Sequence, residues 1–599
     1  MGTLEEQIVM TPLKKAPGCT SLLVERQKRV IVENGAAGDT HVAGGAHHGL
    51  VINKREGGAT ELTPAQLALE FRVFLVSAQT GKHVKESRTL RFWCSCAEEQ
   101  QATLAQDFFK HLVSPNDFPR DYVGFIKKIM KLMQNGYKGL DKIEIELRQL
   151  GETEEVPERP GNKYKIHPSI NANSNNFIAE SADEGATGKR VELTEERLMQ
   201  VIEAAYPNPV TLTDLAKERF WDEDQLSEMF ADLQTRGLVH ALADQPGHFT
   251  RASHSQTDVV QVVKAMPKVV ASKQPTIAVV TSLYCEKLAV DSMLSDTETY
   301  VRFTTVGESN VYTLGTLGCH RVVTTKLPTS GHTREAMTAA GNTTTRLLGT
   351  FQQVEYVFLI GVGGGVPHYT DESKHVRLGD VVVSHPGNPP KGYVYCYCDS
   401  LNQDQEGNCQ FETKKWCPKS LELQSLAQKV KDEADAGEEP AWLKHLLAAQ
   451  VHLGRNNESE SSIDFTRPSE ETDKLYMNIG PREVIEVAHP VPSEGANPRL
   501  EGCPRLHLGS VASGRYVVKD ESCRQQFASK NEILAYDPEL DAAVQSVQGN
   551  CRDNFMSIRG ISDYRDGSRR NDWQPYSALA AASVMKAIVL GMEEPVDNE

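Results

Sequence analysis

The sequence predicts a multidomain protein in which a C-terminal region with glycine-rich strand motifs follows two smaller modules. The chain has 599 residues, which is too long for one hydrophobic core and indicates three or four folded units. Residues 61–150 show apolar runs at helical spacing, and residues 191–255 predict three helices followed by two short strands. Residues 151–190 have the polar, Pro-, Gly- and Asn-rich composition of a linker. We therefore exclude a single-domain fold.

Composition narrows the class of protein. The net charge is −17 and 39% of the residues are hydrophobic, so we do not expect nucleic-acid binding through overall charge. No run approaches the roughly 18 apolar residues of a membrane span, and residues 1–20 lack the apolar centre of a signal peptide. The 12 cysteines are mostly scattered, which indicates reduced thiols. We expect a cytoplasmic protein without membrane association, with the nucleus as the alternative compartment.

The N-terminal quarter divides by composition. Residues 1–60 are rich in Gly, Ala and His and show little periodicity, so we expect this segment to be mostly disordered. Beyond it, the apolar residues near 67–75 and the runs 102–112 and 122–133 predict a small, mainly helical module at residues 61–150.

Residues 191–255 predict a compact three-helix unit. One helix spans 195–205, a second begins with Thr213 as its cap, and a third spans 224–236 before two short strands. This order is typical of a winged helix, and the block resembles the winged helix of Storkhead-box proteins. In DNA-binding versions the third helix carries positive charge into the major groove. Here its residues are acidic: Asp222, Glu223, Asp224, Glu228 and Asp232. We therefore expect a protein partner or a purely structural role for this module, with DNA binding as the alternative.

Four cysteines form a local group: Cys396, Cys398, Cys409 and Cys417. Their spacing departs from the C-x2-4-C pattern of zinc fingers, and four free thiols in a surface insertion are the simpler interpretation. We predict no metal site, with structural zinc as the alternative.

The most informative segment is residues 360–384. An apolar run ends in four glycines within residues 361–365, and a charged turn leads through Arg-Leu-Gly-Asp into a β-branched run. Glycine has no Cβ and reaches positive φ freely, so a Gly-rich turn after a buried strand lets main-chain N–H groups surround a sugar or phosphate. A tight turn at a sheet edge is the alternative interpretation.

Further blocks follow in a fixed order, at residues 277–286, 315–318, 327–331, 507–514, 558–564 and 573–582. With the Gly-rich segment, they resemble the nucleoside phosphorylase and nucleosidase superfamily, the α/β proteins that cleave the N-glycosidic bond of nucleosides. The resemblance covers residues 275–595 and implies a mixed central sheet flanked by helices. A polar, acidic insertion at about 399–498 interrupts it, with an amphipathic helix near 421–434. We expect a lid, an oligomer contact or a tolerated surface loop there.

The resemblance assigns two acidic side chains to catalysis. We expect Glu286 to end the first strand, and it aligns with the glutamate that adenosylhomocysteine/methylthioadenosine nucleosidases use to activate water. Asp563 follows the predicted buried strand 556–561 and matches the family's general acid, which protonates or hydrogen-bonds the departing purine. A carboxylate at a helix N-terminus is the alternative for Glu286, and a turn aspartate is the alternative for Asp563.

For the ribose, the family uses a Met-Glu pair whose carboxylate binds both hydroxyls. The nearest match here places Leu540 at the Met position and Asp541, one methylene shorter, at the Glu position. Three interpretations stay open. Asp541 reaches the hydroxyls, or Glu539 replaces it, or ribose binding is weakened and the domain senses a ligand without turning it over.

Other substrate contacts are expected around the base. Four small residues are candidates for main-chain or loop contacts: Gly363, Gly364, Ser513 and Gly514. Tyr564 or Tyr536 is a candidate to stack on the purine, with core packing as the alternative. Basic residues that are candidates for a 5′ phosphate, with surface solvation as the alternative, are Arg377, Arg505, Arg515, Lys519, Arg559, Arg565, Arg569 and Arg570.

The expected reaction is hydrolysis of the N-glycosidic bond of an adenine-type purine nucleoside or nucleotide, including ATP, without a metal or organic cofactor. Phosphorolysis is one alternative and would need a phosphate cradle, for which Thr329, Ser330 and Gly331 are candidates, although no clear early arginine accompanies them. A catalytically silent nucleoside sensor that signals through the winged helix is another. We expect a small-molecule purine ligand and a homo-oligomer.

Overall fold

The computed structural model describes the chain in stretches separated by gaps. The described residues are 4–30, 40–42, 50–53, 63–76, 83–153, 193–242, 247–252, 260–263, 266, 269–270, 273–302, 310–329, 334–387, 389–404, 408–455, 463–480, 483–492, 499–514, 517, 521–537, 540–564 and 570–594. They belong to two compact units, one of residues 1–162, 367–375 and 470–498, the other of residues 163–366, 376–469 and 499–599. In these stretches we find no helix with the length and apolarity that crossing a membrane requires.

The strands are β1 (Leu4–Ala16), β2 (Cys19–Val30), β3 (Thr40–Val42), β4 (Leu50–Asn53), β5 (Leu67–Val76), β6 (His83–Cys94), β7 (Leu140–Thr153), β8 (Val210–Thr211), β9 (Val239–Ala241), β10 (His248–Arg251), β11 (Val260–Val262), β12 (Ile277–Thr281), β13 (Ser295–Arg302), β14 (Asn310–Leu317), β15 (His320–Lys326), β16 (Tyr356–Gly365), β17 (Val381–Ser384), β18 (Tyr395–Gln403), β19 (Cys409–Trp416), β20 (Leu475–Gly480), β21 (Glu483–Val487), β22 (Leu506–Ser513), β23 (Ile533–Tyr536) and β24 (Asn554–Asp563). The helices are α1 (Glu98–Leu112), α2 (Tyr122–Asn135), α3 (Glu195–Ala205), α4 (Leu212–Arg219), α5 (Glu223–Thr235), α6 (Tyr284–Asp291), α7 (Arg334–Thr350), α8 (Glu422–Asp435), α9 (Ala441–Arg455), α10 (Glu521–Asn531), α11 (Asp541–Gly549) and α12 (Trp573–Leu590).

The first unit is a sheet with two helices packed on it. Among the described residues, nine strands pair in the order β20-β21-β5-β6-β7-β2-β1-β4-β3. Neighbouring strands are antiparallel except for β1 and β4, which are parallel. Phe71 of β5 packs against Phe109 of α1 and Phe125 of α2, with ring centroids 5.2 and 6.3 Å away. These aromatic contacts bury the inner face of the sheet.

Two predictions for the N-terminus are wrong where the structure describes it. Residues 1–60 contribute four strands instead of disorder, because Ile8, Val9 and Leu22 supply buried apolar surface; residues 31–39, 43–49 and 54–60 lie outside the described part. The segment 61–150 contains the two expected helices, but β5, β6 and β7 make it a mixed module. In β5, Leu69 and Phe71 are buried at a period of two, which is strand and not helix spacing. The predicted linker lies mostly in residues 154–192, which are not described.

The insertion predicted at 399–498 has two structural roles. The expected amphipathic helix is confirmed as α8, which buries Leu423 and Ala427. The last part of the insertion belongs to the first unit, where β21 pairs antiparallel with β5 and aligns Ile485 with Val73. Residues 475–487 are therefore sheet strands, and the interpretation as a surface loop is wrong for this part. The lid and the oligomer contact stay predictions.

We expect Ile485→Ala to lower the free energy of unfolding by about 3 kcal/mol, because Ile485 is fully buried and its truncation leaves a cavity. Chemical denaturation of the full chain measures the change. Val491→Ala is the matched control, since Val491 is 80% exposed, and it should change stability by no more than about 0.5 kcal/mol. Equal, small effects of both variants would contradict the pairing of β21 with β5.

The winged-helix prediction is confirmed in outline. Helix α3 has the predicted bounds, and α4 and α5 pack with it around Leu198, Leu226 and Phe230. The small sheet has the order β8-β10-β9. The predicted cap of the second helix is wrong by two residues, because Thr211 and not Thr213 accepts the hydrogen bond from the Asp214 amide.

The second unit also contains the predicted mixed α/β sheet. In the part of the chain that the structure describes, twelve strands are present, eleven of them in the order β11-β13-β14-β15-β12-β16-β24-β17-β22-β18-β19, with β23 joining β16 and β22. Strands β15, β12, β16 and β24 are mutually parallel, whereas β17 runs antiparallel to β24. Helix α12 packs on β24 so closely that a Cβ at Gly560 would collide with the main chain of Ser577. This close packing fixes the centre of the sheet.

A buried ion network fixes the start of β17. Both carboxylate oxygens of Asp380 accept hydrogen bonds from Arg499 at 2.8 Å, and Oδ2 lies 2.9 Å from His507 Nε2. The amides of Arg377 and Arg505 also donate to Asp380. Burial alone would raise the pKa of Asp380, but Arg499 and His507 lower it well below its ordinary value. Asp380, the last residue of the Arg-Leu-Gly-Asp segment, therefore holds the start of β17 in place.

We expect Asp380→Asn to lower the free energy of unfolding by about 3 kcal/mol at neutral pH, because it leaves buried donors without a charged partner. A depressed pKa in the folded state stabilises the fold above the unfolded pKa of about 3.9, and this stabilisation is lost as the pH falls below that value. The difference between wild type and variant should therefore shrink below about pH 4 in denaturation curves. Asp399→Asn is the control, since Asp399 pairs with Lys414 at the surface. A difference that does not depend on pH would contradict this assignment.

The cysteine prediction needs one correction. Cys409 forms a disulfide with Cys523, whereas Cys396 and Cys398 are buried free thiols. Cys409 is therefore not available as a metal ligand while this bond exists, and the four cysteines do not form one group. Within the described ranges, no cluster of three or more His, Cys, Asp or Glu side chains is arranged to hold a metal ion.

Candidate active site

Glu286 is held by four hydrogen bonds at the start of α6. Its Oε2 accepts from the Ser282 amide at 2.7 Å, the Ser282 hydroxyl at 2.9 Å and the Leu283 amide at 2.8 Å. Its Oε1 accepts from the Val362 amide of β16 at 2.8 Å. The side chain is completely buried. The expectation that Glu286 ends the first strand is wrong, since β12 ends at Thr281 and Glu286 lies in the first helical turn, where a carboxylate also interacts favourably with the helix dipole.

The Gly-rich segment is part of a strand and not the expected turn. β16 continues to Gly365, and its glycines are needed for close packing. A Cβ at Gly361 would lie 2.5 Å from Cδ of Glu286, and one at Gly363 would lie 2.6 Å from the Tyr536 carbonyl oxygen. Gly364 pairs with Tyr536 on one side and Asp563 on the other. The glycines thus allow three other segments to approach this end of β16.

Asp563 is the last residue of β24 and is half-buried. Its Cα partner in β16 is Gly364, two residues beyond Val362, whose amide binds Glu286. Because a strand rises about 3.3 Å per residue, these two positions on β16 are about 7 Å apart. The sheet therefore brings the two predicted acidic residues to the same end of one strand.

Helix α6 has a second buried anchor. The ammonium of Lys287, the residue after Glu286, contacts Asp291 and donates to the Thr313 hydroxyl at 2.7 Å. The Thr324 hydroxyl donates to Asp291 at 2.6 Å. These contacts join the helix to β14 and β15, so the orientation of Glu286 does not depend on its own hydrogen bonds alone.

The predicted ribose segment lies a few residues after the end of β23. Asp541 is the first residue of α11 and is 7% exposed, Leu540 before it is buried, and Glu539 lies outside the described residues. Sequence reasoning missed Asp537, which directly follows β23 and accepts a hydrogen bond from the Tyr395 hydroxyl at 2.9 Å. Burial, together with Asp537 and Asp541, raises the pKa of Tyr395 well above its ordinary value, so the phenol keeps its proton. An acidic residue directly after a strand was the available signal.

Three other predicted contacts are packed within the domain. Ser513 is buried at the end of β22, and Gly514 has φ of 145° and packs against Cys398. The Tyr564 hydroxyl accepts a hydrogen bond from the Leu378 amide at 3.1 Å, and Arg570 lies 5.2 Å from its ring centroid. These contacts favour core packing for Tyr564 over a purine-stacking role. Arg565 lies outside the described residues.

Tyr536 also belongs to the core. Its hydroxyl donates to the Arg524 carbonyl at 2.8 Å, and its side chain is 1% exposed. The stacking interpretation is therefore not supported for Tyr536. Its main-chain contact with Gly364 still places it beside the acidic pair.

Comparisons with known proteins match two parts of the chain. A family described as a winged helix-turn-helix domain matches residues 184–253. Solved structures with a similar fold include 5′-methylthioadenosine/S-adenosylhomocysteine nucleosidase from Neisseria meningitidis, at 16% identity and a TM-score of 0.31, covering 53% of this chain and 100% of that one. Futalosine hydrolase of Helicobacter pylori matches at 15% identity and a TM-score of 0.31, covering 53% and 97%. The nucleosidase from S. pneumoniae matches at 14% and 0.30, covering 52% and 97%.

One curated relative is also similar. It is a nucleotide-binding leucine-rich repeat (NLR)-like protein from Hyaloscypha variabilis, 28% identical over 284 residues. The alignment covers 47% of this chain and 26% of the relative, so it spans about a quarter of that protein. The family match thus identifies a winged helix-turn-helix domain at residues 184–253. The resemblance to Storkhead-box proteins stays a prediction.

We expect Gly361→Ala to lower the free energy of unfolding by about 2–4 kcal/mol, because the new methyl group displaces a fully buried carboxylate from its donors. Gly349→Ala is the matched control: Gly349 lies near the end of α7 with no atom within 4 Å of an added Cβ, so the change should be neutral or stabilising by about 0.5–1 kcal/mol. Thermal and chemical denaturation of both variants measure the difference. Equal stability would mean that Glu286 is not held against β16.

Proposed function

We propose that the α/β domain hydrolyses the N-glycosidic bond of a purine nucleoside or nucleotide and releases the free base. The observation that supports this most is the position of Glu286 and Asp563 at one end of β16. Glu286 contacts Val362 there, and Asp563 pairs with Gly364. Two carboxyl groups at the carboxyl end of a parallel strand are suited to act on opposite sides of a bound glycosidic linkage.

Glu286 is the proposed base. Three protein donors bind Oε2 and one binds Oε1, so Oε1 keeps capacity to accept a hydrogen bond from a bound water molecule. The water oxygen attacks the anomeric carbon as the carbon–nitrogen bond breaks, and Glu286 takes the proton that the water loses. The four donors stabilise the negative charge that the carboxylate needs before this step.

Asp563 is the proposed acid. As the bond to the sugar breaks, the electron pair moves onto the purine, and a proton from Asp563 to a ring nitrogen lets the base leave in neutral form. Asp563 is half-buried at the end of β24, which leaves it access to a ligand. One proton is taken up at Glu286 and one is released at Asp563, so the reaction consumes only water.

The ribose hydroxyls are proposed to bind Asp541 or Glu539. Asp541 begins α11 directly after the segment that follows β23, and β23 pairs with Gly364 of the acidic pair's strand. An adenine-type base, ATP as a substrate, and a homo-oligomer are parts of the same proposal. They rest on the family resemblance of the sequence. The proposed route uses no metal or organic cofactor.

The test is to incubate the full chain with a panel of purine nucleosides and nucleotides, with and without inorganic phosphate, and to detect free base by chromatography. We expect base release that does not depend on phosphate. Glu286→Gln and Asp563→Asn should each lower the rate by at least about 100-fold, because each removes one proton transfer. Asp553→Asn is the control, since Asp553 directly precedes β24 and pairs with Lys419 at the surface.

Three other outcomes would contradict the proposed reaction or the proposed residues. A sugar 1-phosphate that forms only with phosphate would show phosphorolysis. Calorimetric binding of a nucleoside without turnover would show a sensor domain, which the shorter Asp541 carboxylate would then explain. Unchanged rates in Glu286→Gln and Asp563→Asn would remove both residues from the reaction.

A further inference from the structure

The end of helix α3 in the winged helix rests on a buried lysine of the α/β sheet. Lys326, the last residue of β15, is 1% exposed. Its ammonium donates to the carbonyl oxygens of Ala204 at 3.0 Å and Tyr206 at 2.8 Å, and to its own neighbour Leu327 at 3.0 Å. Carbonyl groups at a helix C-terminus carry partial negative charge, so a cation is favourable there.

Lys326 is connected to the residues that hold Glu286. It pairs with Thr281 across β15 and β12, and the Leu327 amide donates to the Thr281 carbonyl at 2.8 Å. The next residue after Thr281 is Ser282, whose amide and hydroxyl both donate to Glu286. A displacement at Lys326 therefore reaches the donors of Glu286 through one strand pair.

A second contact joins the winged helix to α6 itself. Tyr284, the first residue of α6, packs edge-on against Tyr206 with ring centroids 5.2 Å apart, and its hydroxyl donates to the Ala252 carbonyl at 3.2 Å. The Arg251 guanidinium lies 5.3 Å from the Tyr284 ring centroid and donates to Glu203 at 3.1 Å. Glu286 lies two residues after Tyr284 in α6. The winged helix therefore contacts the helix that carries Glu286 and, through Lys326, the strand pair that leads to the donors of Glu286.

We propose that the winged helix positions Glu286, and that Lys326 is the positioning residue that transmits this contact to the site. This inference rests on the proposed function, in which Glu286 activates water. It gives the winged helix a partner within its own chain. A ligand or protein that displaced α3 from Lys326 would lower the rate of the reaction without touching the substrate.

The protonation state of Lys326 follows from its contacts. An ammonium has three N–H groups and a neutral amine has two, whereas three carbonyl groups accept from Lys326. Burial lowers the pKa of Lys326 to about 7, and Glu286, Glu203 and Cys285 oppose that change. As the pH rises through about 7, one carbonyl loses its donor and the charge at the end of α3 disappears. The contact should therefore weaken on the alkaline side.

The test uses Lys326→Met in the full chain. Lys586→Met is the control, because among the described residues Lys586 donates to one carbonyl, that of Met293. We expect wild type to lose kcat as the pH rises, with a midpoint at about 7. Lys326→Met should have a kcat lower by about 10- to 100-fold and a KM that changes little. Its pH profile should lack the alkaline limb, which is the fall in kcat of the wild type as the pH rises through about 7. Lys586→Met should behave as wild type.

Hydrogen–deuterium exchange supplies a measurement that does not depend on turnover. In Lys326→Met, amides of residues 199–206 and of residues 282–291 should lose protection together, whereas Lys586→Met should change neither segment. An active variant that keeps the alkaline limb, or that loses protection only at 199–206, overturns the positioning role while the proposed reaction stands. A wild-type chain that releases no base overturns the proposed reaction and the positioning role with it, even if exchange shows that the two segments are coupled.

Discussion

The arrangement of the candidate site depends on one buried carboxylate. An ionised group without water is unfavourable unless donors surround it, and Glu286 meets this condition by accepting from Ser282, Leu283 and Val362. Ser282 and Leu283 lie just before Glu286 in the chain, whereas Val362 lies 76 residues after it. The bond to Val362 requires a glycine at position 361, since a Cβ there would overlap the carboxylate. A single side chain thus joins β12, α6 and β16 and fixes the end of β16 where Asp563 is paired.

Local patterns in the sequence predicted the elements that carry strong local signals. The bounds of α3 are confirmed, and the predicted strand 556–561 is present within β24, which continues to Asp563. Helical periodicity and a short buried run determine these elements without distant partners. The glycines of β16 were interpreted as a turn because composition does not distinguish positive φ from close packing. Here the strand continues, and the neighbours of each missing Cβ explain the residue. Which segment approaches a glycine depends on tertiary structure, which local patterns do not contain.

Non-local pairing explains the other errors. Strand β21 lies about 400 residues from β5 in the chain, and no local pattern connects two strands across such a separation. In the N-terminal segment, a Gly-, Ala- and His-rich stretch dominated the composition, although Ile8, Val9 and Leu22 supply a buried face. The alternation of Leu69 and Phe71 was the available signal for a strand. The helical spacing of the residues in α1 and α2, which follow, led instead to the prediction of a mainly helical module. In the ribose segment, the structure describes Leu540 and Asp541, at the positions of the family's Met-Glu pair.

The charge pattern of the winged helix is consistent with a role inside its own chain. Phosphates would be repelled by Glu223 and Asp224 in the first turn of α5, where these carboxylates instead stabilise the helix N-terminus. The module directs the partial negative charge at the end of α3 toward Lys326, a cation with three carbonyl acceptors. A DNA-binding module needs cations on its recognition helix, whereas this winged helix needs a cation on the α/β sheet that it contacts. Lys326 lies one strand pair from the donors of Glu286. Docking of the module and orientation of the Glu286 carboxylate therefore belong to the same packing arrangement.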